Sequence, residues 1–280
     1  MPWAALLPCV TLLFLACLTF PALAEPGRWH VSLTGEDLVF RDMGEPERHS
    51  PLFALLGEDD PATWTRDWRE ERCYLTVGYE LWRGPHVSLQ PRAHLGGAQG
   101  RFAARNGVDG FEEVWNTRTA LLWGPGLALE LRVDPESGPF VLATWDLFMA
   151  QAAERRERIN GVDAGDERRA RFSWREHDVA LLAGWRVWRF SLMAGTRRTW
   201  FRLRKKLDYH VDTSTLRPGS QDMLIAQTLN GEASRYLYEN DGAWLPHVAL
   251  ECRLSEHWHL GGELTLAEDA QLALRMRFTF

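Results

Sequence analysis

The stretch "QLALRMRFTF", residues 271–280, decides the fold. Leu272, Leu274, Met276, Phe278 and Phe280 fall on one parity, and Ala273, Arg275, Arg277 and Thr279 on the other. A period of two is that of a β-strand, whose successive side chains point to opposite faces. One such strand fits a soluble sheet with its apolar side on a core, and equally a wall whose apolar side meets lipid. The choice between them rests on the rest of the chain.

Working back from the C-terminus, "HLGGELTL" (259–266) and "WLPHVALECRL" (244–254) alternate in the same way. So do "WRFSLMAG" (188–195), "DVALLAG" (178–184), "LALELRV" (127–133), "NTRTALL" (116–122), "VSLQPRAHL" (87–95), "YLTVGYEL" (74–81) and "RWHVSLT" (28–34). Short turn sequences such as "SEHW", "WRV", "WGPG" and "WRGPH" join neighbours, as hairpins require. This predicts ten antiparallel strands. Reading "PFVLATWDLFM" (139–149) and "MLIAQTL" (223–229) as strands too gives twelve, the alternative. Sorted by parity, one face holds Leu75, Val77, Leu89, Leu129, Leu131, Leu181, Leu192, Leu250, Leu264 and their like, with no charge. The other holds Glu80, Arg92, His94, Arg118, Glu130, Arg132, Asp178, Arg189, Glu251, Arg253, Glu263, Arg275 and Arg277.

The chain carries 14 tryptophans, and their placement favours lipid. Trp82, Trp123, Trp185, Trp188 and Trp258 sit at the short turns, whereas Trp115, Trp174, Trp200 and Trp244 sit at the opposite strand ends. The separation is roughly 8–12 residues, about one tilted membrane-crossing strand. Two tryptophan girdles bounding an apolar band suit a bilayer, because indole has an apolar body and a polar N–H.

Residues 1–24 carry no charge and end in Ala22-Leu23-Ala24, a small-x-small cleavage pattern, so they read as an exported signal peptide ahead of a single domain over 25–280. No later stretch is long and apolar enough for a spanning helix. Only Cys73 and Cys252 lie beyond the signal, too few for a disulfide framework. Net charge is −6 with the signs mixed, which leaves no nucleic-acid footprint.

The signal segment, the alternating strands and the terminal "RMRFTF" together resemble the Gram-negative outer-membrane β-barrel superfamily. The resemblance implies an all-β, transmembrane, antiparallel up-and-down barrel in the outer membrane, with periplasmic termini, short periplasmic turns and long outer loops. It also implies that Leu274, Met276, Phe278 and Phe280 form the signal read by the barrel-assembly machinery, and that outer-membrane lipid and lipopolysaccharide surround the wall. Segments 35–73, 96–112, 135–173 and 204–243 then become outer loops.

Function is less constrained. Glu80, Arg92, Arg118, Glu130, Arg132, Glu251, Arg253, Glu263, Arg275 and Arg277 point into the lumen by parity, and confined charges are costly unless paired. The leading expectation is a salt-bridged lumen with a structural or surface-interaction role. A narrow channel between the pairs is one alternative. A barrel enzyme acting on outer-leaflet lipid is another, with His94, His177 beside Asp178, and Asp208 with His210 as candidate groups. Ser191, Ser214 and Ser234 lack a nucleophile signature, and no enzyme-family motif is matched. A soluble lipocalin-like lipid binder is the non-membrane rival. The acidic runs "GEDD" (57–60) and "DAGDE" (163–167) lack calcium spacing, so neither metal nor cofactor is expected. The basic runs "AERRER" (153–158), "DERRARF" (166–172) and "TRRTWFRLRKK" (196–206) lie beyond the second tryptophan level, where lipopolysaccharide phosphates are the expected partners.

Overall fold

The alternating pattern becomes strand along most of the chain. A computed structural model describes residues 29–49, 63–134, 136–163, 168–214, 216–231, 233–267 and 270–280. The signal segment, "GEDD" and residues 164–167 of the second acidic run lie outside them. The strands are β1 (Trp29–Phe40), β2 (Gly44–His49), β3 (Trp64–Tyr79), β4 (Trp82–Arg83), β5 (Val87–Asn106), β6 (Glu112–Thr117), β7 (Ala120–Arg132) and β8 (Gly138–Ile159). They continue as β9 (Val162–Asp163), β10 (Arg168–Val187), β11 (Phe190–Tyr209), β12 (Ser234–Asn240), β13 (Leu245–Arg253), β14 (Trp258–Thr265) and β15 (Gln271–Thr279). One helix, α1 (Gln221–Gly231), lies between β11 and β12.

Every pairing is antiparallel. The sheet closes through β1, β3, β5, β7, β8, β10, β11, β13, β14 and β15, with β15 returning to β1, so ten strands form the ring. At the closure Val31 faces both Val77 and Phe278, and Leu33 faces Leu75 and Met276. Val31, Leu33, Cys73 and Leu75, with Val77, Met276 and Phe280 packed against them, form one apolar cluster on the outer wall. The terminal Phe280 N–H donates to Trp29 O at 3.0 Å, tying the last residue to the first strand.

The count of ten is reached by a different route from the one the sequence suggests. "WGPG" (123–126) is not a turn: it runs through the middle of β7, so 116–122 and 127–133 belong to one wall position. Residues 139–149 supply the missing strand as part of β8. "MLIAQTL" is helical. Ser220 Oγ accepts from Met223 N at 3.2 Å, and Asp222 sits in the first turn, so capping decides this segment. Pro91 is mid-strand, where the ladder passes from β3 (Gly78 opposite Arg92) to β4 (Trp82 opposite Leu89) with a one-residue offset, and a missing N–H is tolerated there.

The expected outer loops are largely strand. β3, β5, β8, β10 and β11 run on past the ends of the short β13–β14–β15 hairpins, and β2 pairs with β12 to complete the wall above them. Met43 N donates to Arg66 O at 2.8 Å, which holds the start of β2 against β3. The barrel therefore continues as a second storey of β1/β2, β3, β5, β6, β8, β10, β11 and β12.

Candidate functional site

The interior has two zones. In the lower, ten-stranded zone many of the inward side chains are charged, and most of these charges are paired. Near the end carrying the termini, Glu130 bonds Arg186 (2.6 Å) and Arg132 (3.2 Å), Glu80 accepts from Ser88 (2.6 Å), and Glu251 bonds Arg277 (2.6 Å) and His259 (3.2 Å). Higher, Asp146 joins Arg92 (2.9 Å) and His94 (2.8 Å), while Glu263 joins Arg275 (2.7 Å). At the top of this zone Glu36 bridges Arg72 (2.7 Å) and Arg197 (2.9 Å). Arg72 reaches on to Glu176 (2.7 Å) and Arg197 to Asp178 (2.8 Å). Four strands, β1, β3, β10 and β11, are thus locked across the lumen by one chain of carboxylates and guanidinium groups. Such groups persist in a confined interior only when paired and hydrogen-bonded.

A cavity of about 460 Å³ runs from mouth residues Glu136, Arg189 and Glu256 up to Glu36, Tyr74, Phe148 and Arg197. Above it the interior is aromatic. Trp68, Phe102 and Trp115 are fully buried, and Phe172, Trp174, Phe201 and Tyr238 nearly so. Ring centroids of Trp68 and Trp174 lie 5.1 Å apart, those of Phe40 and Phe201 4.2 Å, and those of Phe102 and Tyr238 4.8 Å. Gly100 leaves room for this packing, since a Cβ there would sit 2.0 Å from the Trp68 ring. Cations enter the core as well: Arg66 lies over the Tyr238 ring at 6.0 Å and Arg168 over the Trp115 ring at 5.5 Å. Lys205 Nζ meets Glu113 at 3.0 Å and lies over the Trp115 ring at 4.7 Å. Burial pulls the Lys205 ammonium below its usual range. Burial pushes the Glu113 carboxyl up, but Lys205 and Arg168 outweigh it and leave that pKa lowered.

Of the residues expected in the lumen, Glu80, Arg92, Glu130, Arg132, Glu251, Arg253, Glu263, Arg275 and Arg277 line the lower cavity. Arg118 does not. It lies in the break between β6 and β7, exposed, and its Nε donates to Glu154 O at 3.3 Å. Sequence reasoning does not find Glu36, Arg72 and Asp146, which lie in segments 35–73 and 135–173 that read as outer loops, nor Glu176 and Arg197, which lie just beyond the expected strands 178–184 and 188–195.

The tryptophans need the same correction. Trp82, Trp185, Trp188 and Trp258 stand near the end with the termini, and Trp200 and Trp244 stand well up the wall. Trp123 is outward on β7, far from any turn, in register with Met149. Trp115 and Trp174 are not on the outer surface at all but in the aromatic core.

The candidate catalytic groups do not assemble. His177 faces out beside Trp145 (6.4 Å) while Asp178 faces in, because neighbours on a strand point oppositely. Asp208 is bound by Arg171 (3.0 Å) and Lys206 (3.1 Å). Slight burial raises its pKa, and those two bonds lower it further than that, so it stands as a neutralised anion rather than a base. His94 completes a Thr76–His94–Asp146 chain (2.9 and 2.8 Å) with nucleophile–base–acid connectivity. Thr76 and His94 are both buried, with His94 packed against Phe148 (4.8 Å) and Tyr74 (5.7 Å), and neither lines the cavity. The same arrangement recurs at Thr265–His247–Glu263 (2.9 and 3.6 Å), which marks it as a cross-strand strut. Among the described residues no group of histidine, cysteine or carboxylate side chains could hold a metal ion.

No family model matches the chain, and no curated protein does. Solved structures do. The outer-membrane protease OmpT from Escherichia coli superposes with a TM-score of 0.52 at 11% identity, over 91% of this chain and 98% of that one. The translocator domain of the autotransporter NalP from Neisseria meningitidis gives 0.38 at 9% identity, over 99% and 97%. The toluene transporter TbuX from Ralstonia pickettii gives 0.37 at 9% identity, over 95% and 93%. The chain has the fold of outer-membrane β-barrels: a closed, transmembrane, antiparallel barrel of ten strands.

Proposed function

We propose that this protein is a sealed outer-membrane barrel, exported by a cleaved signal peptide, whose work is done on its outer surface and not through its lumen. One observation carries the reading. The buried Glu36–Arg72–Glu176–Arg197–Asp178 chain and the aromatic core above it pack the interior beyond the lower cavity among the described residues. On this reading the cavity, which reaches the mouth residues Glu136, Arg189 and Glu256 on the side of the termini, is a dead end. Leu81, Leu95, Leu129, Leu181, Leu192, Leu250, Leu260 and Leu274 make the exposed apolar band, with tryptophans near both of its edges. That band is what a bilayer about 25 Å thick between interfaces requires. With the termini in the periplasm, the second storey stands outside the cell, and Phe280 with its alternating neighbours serves assembly.

The narrow-channel alternative needs a continuous polar path, which the aromatic core interrupts. The lipid-modifying enzyme needs a nucleophile and base open to a substrate, and Thr76 and His94 are enclosed. Proteoliposomes loaded with small sugars test the reading: no swelling beyond empty vesicles is expected. Swelling that scales with protein content would overturn it.

A further inference from the structure

Beyond the two tryptophan levels the outer wall carries a row of basic residues in register across four strands. Arg171 on β10 faces Lys206 on β11, Lys206 faces Arg235 on β12, and Arg235 faces His49 on β2. Adjacent strands lie about 4.8 Å apart, and like charges directly opposite one another are destabilising. These side chains point outward, with Arg171 64% and Lys206 39% exposed, while Ala170, Lys205 and Leu207 between them are buried. A single carboxylate, Asp208, is shared by Arg171 and Lys206. Arg169 and Arg235 have no hydrogen-bond or ion-pair partner among the described residues.

The row lines a groove of about 1450 Å³ that also takes in Arg118, Arg156, Glu154, Glu157, Asp163 and Asn230. Its upper edge is α1, pinned where Val211 N donates to Asn230 Oδ1 (2.8 Å) and Asn230 Nδ2 donates to Val211 O (2.9 Å). The groove exceeds the ~300–1,000 Å³ of small-molecule pockets. Lys206 is six residues along β11 from Trp200, roughly 14 Å above it for a tilted strand.

We propose that this groove binds a phosphorylated oligosaccharide, the headgroup of an outer-leaflet glycolipid, with Arg171, Lys206 and Arg235 as its anion-binding row. The proposal rests on the sealed-barrel reading only for which leaflet supplies the ligand. Arg171, Lys206 and Arg235 stand on the outward face of the wall, so what meets them is the sugar layer of neighbouring lipids. A docking protein would have to lie within that layer. Guanidinium and ammonium groups bind phosphate through charge-assisted bonds, and a bound phosphate would relieve the repulsion along the row.

The test is calorimetric titration of the detergent-purified protein. The probes are phosphorylated core oligosaccharide released from lipopolysaccharide, the same oligosaccharide after dephosphorylation, and intact lipopolysaccharide added to the protein in nanodiscs. The phosphorylated core and intact lipopolysaccharide are expected to bind, more weakly as salt rises, and the dephosphorylated core to bind at least about tenfold more weakly. The R171Q/K206Q/R235Q variant should lose about tenfold or more in affinity. R235Q alone should lose part of it, with heat-modifiable folding on gels retained, and R175Q/R202Q nearer the membrane should bind like the parent. Equal binding of the two core preparations, or parental affinity in the triple variant, would overturn the site. Binding of the released core without intact lipopolysaccharide would overturn the leaflet as its source. Conductance plays no part in this readout, so its failure is distinct from a failure of the sealed barrel.

Discussion

Glu36 is the residue on which the interior turns, since one carboxylate holds both Arg72 and Arg197. Glu36→Ala leaves two buried guanidinium groups without it. The expected cost is about 3–5 kcal/mol, read as a lower urea midpoint in the folded, detergent-solubilised protein. Gly100→Ala drives a methyl into the Trp68 ring and should cost about 1–3 kcal/mol by the same measurement, because the indole is enclosed on every side. Glu113 gives a pH signature. Its folded pKa is lowered from 4.5, so its contribution is present above that value and lost as pH falls through the folded pKa. Glu113→Gln should therefore flatten part of the acid limb of the stability profile, and an unchanged limb would remove that assignment. Much of the inward charge was legible by parity, as with Glu130, Arg132, Glu263 and Arg275. Trp174 was legible too, since it shares parity with the inward Asp178, yet its place at a strand end suggested an interface. Trp115 was not, because the break at Arg118–Thr119 shifts parity between β6 and β7.

Strands with two short turns and alternating faces read plainly, and β13, β14 and β15 stand close to where the sequence puts them. Longer strands did not. Past the bilayer the outward face of β10 changes from Leu181 and Ala183 to Arg171 and Arg175, so an apolar outer face no longer marks the strand and it reads as a charged loop. Inward, Phe172 and Trp174 keep the alternation going, which was the available signal. Two element-scale outcomes follow from the wall assignment. Leu129→Arg on β7, in the exposed apolar band, should destabilise the barrel in lipid by about 2–4 kcal/mol if near the midplane, and parental stability would reverse the outward assignment. Removing Phe280 from the end of β15 should lower the folded outer-membrane fraction without stopping export across the inner membrane, measured by fractionation with boiled and unboiled gels. Normal folded levels would leave that residue only its packing at the seam with β1.

As a whole the molecule is a membrane barrel whose second storey is packed like the core of a soluble protein. Sequence composition showed the first storey and hid the second, since the aromatic residues that fill it were assigned to girdles and loops. The two storeys divide the physics. Ion pairs brace the lower lumen, and buried tryptophan and phenylalanine pack the upper one. Closure of the lumen is the claim on which the functional reading depends, and planar-bilayer recording tests it most directly. The purified parent is expected to insert and show no steady open level at any applied voltage, whereas Glu263→Ala, which leaves Arg275 without its carboxylate, should be less stable to heat. A parent that conducts in steady, reproducible steps, with levels altered by substitutions at Glu36, Arg72 or Arg197, would contradict the account.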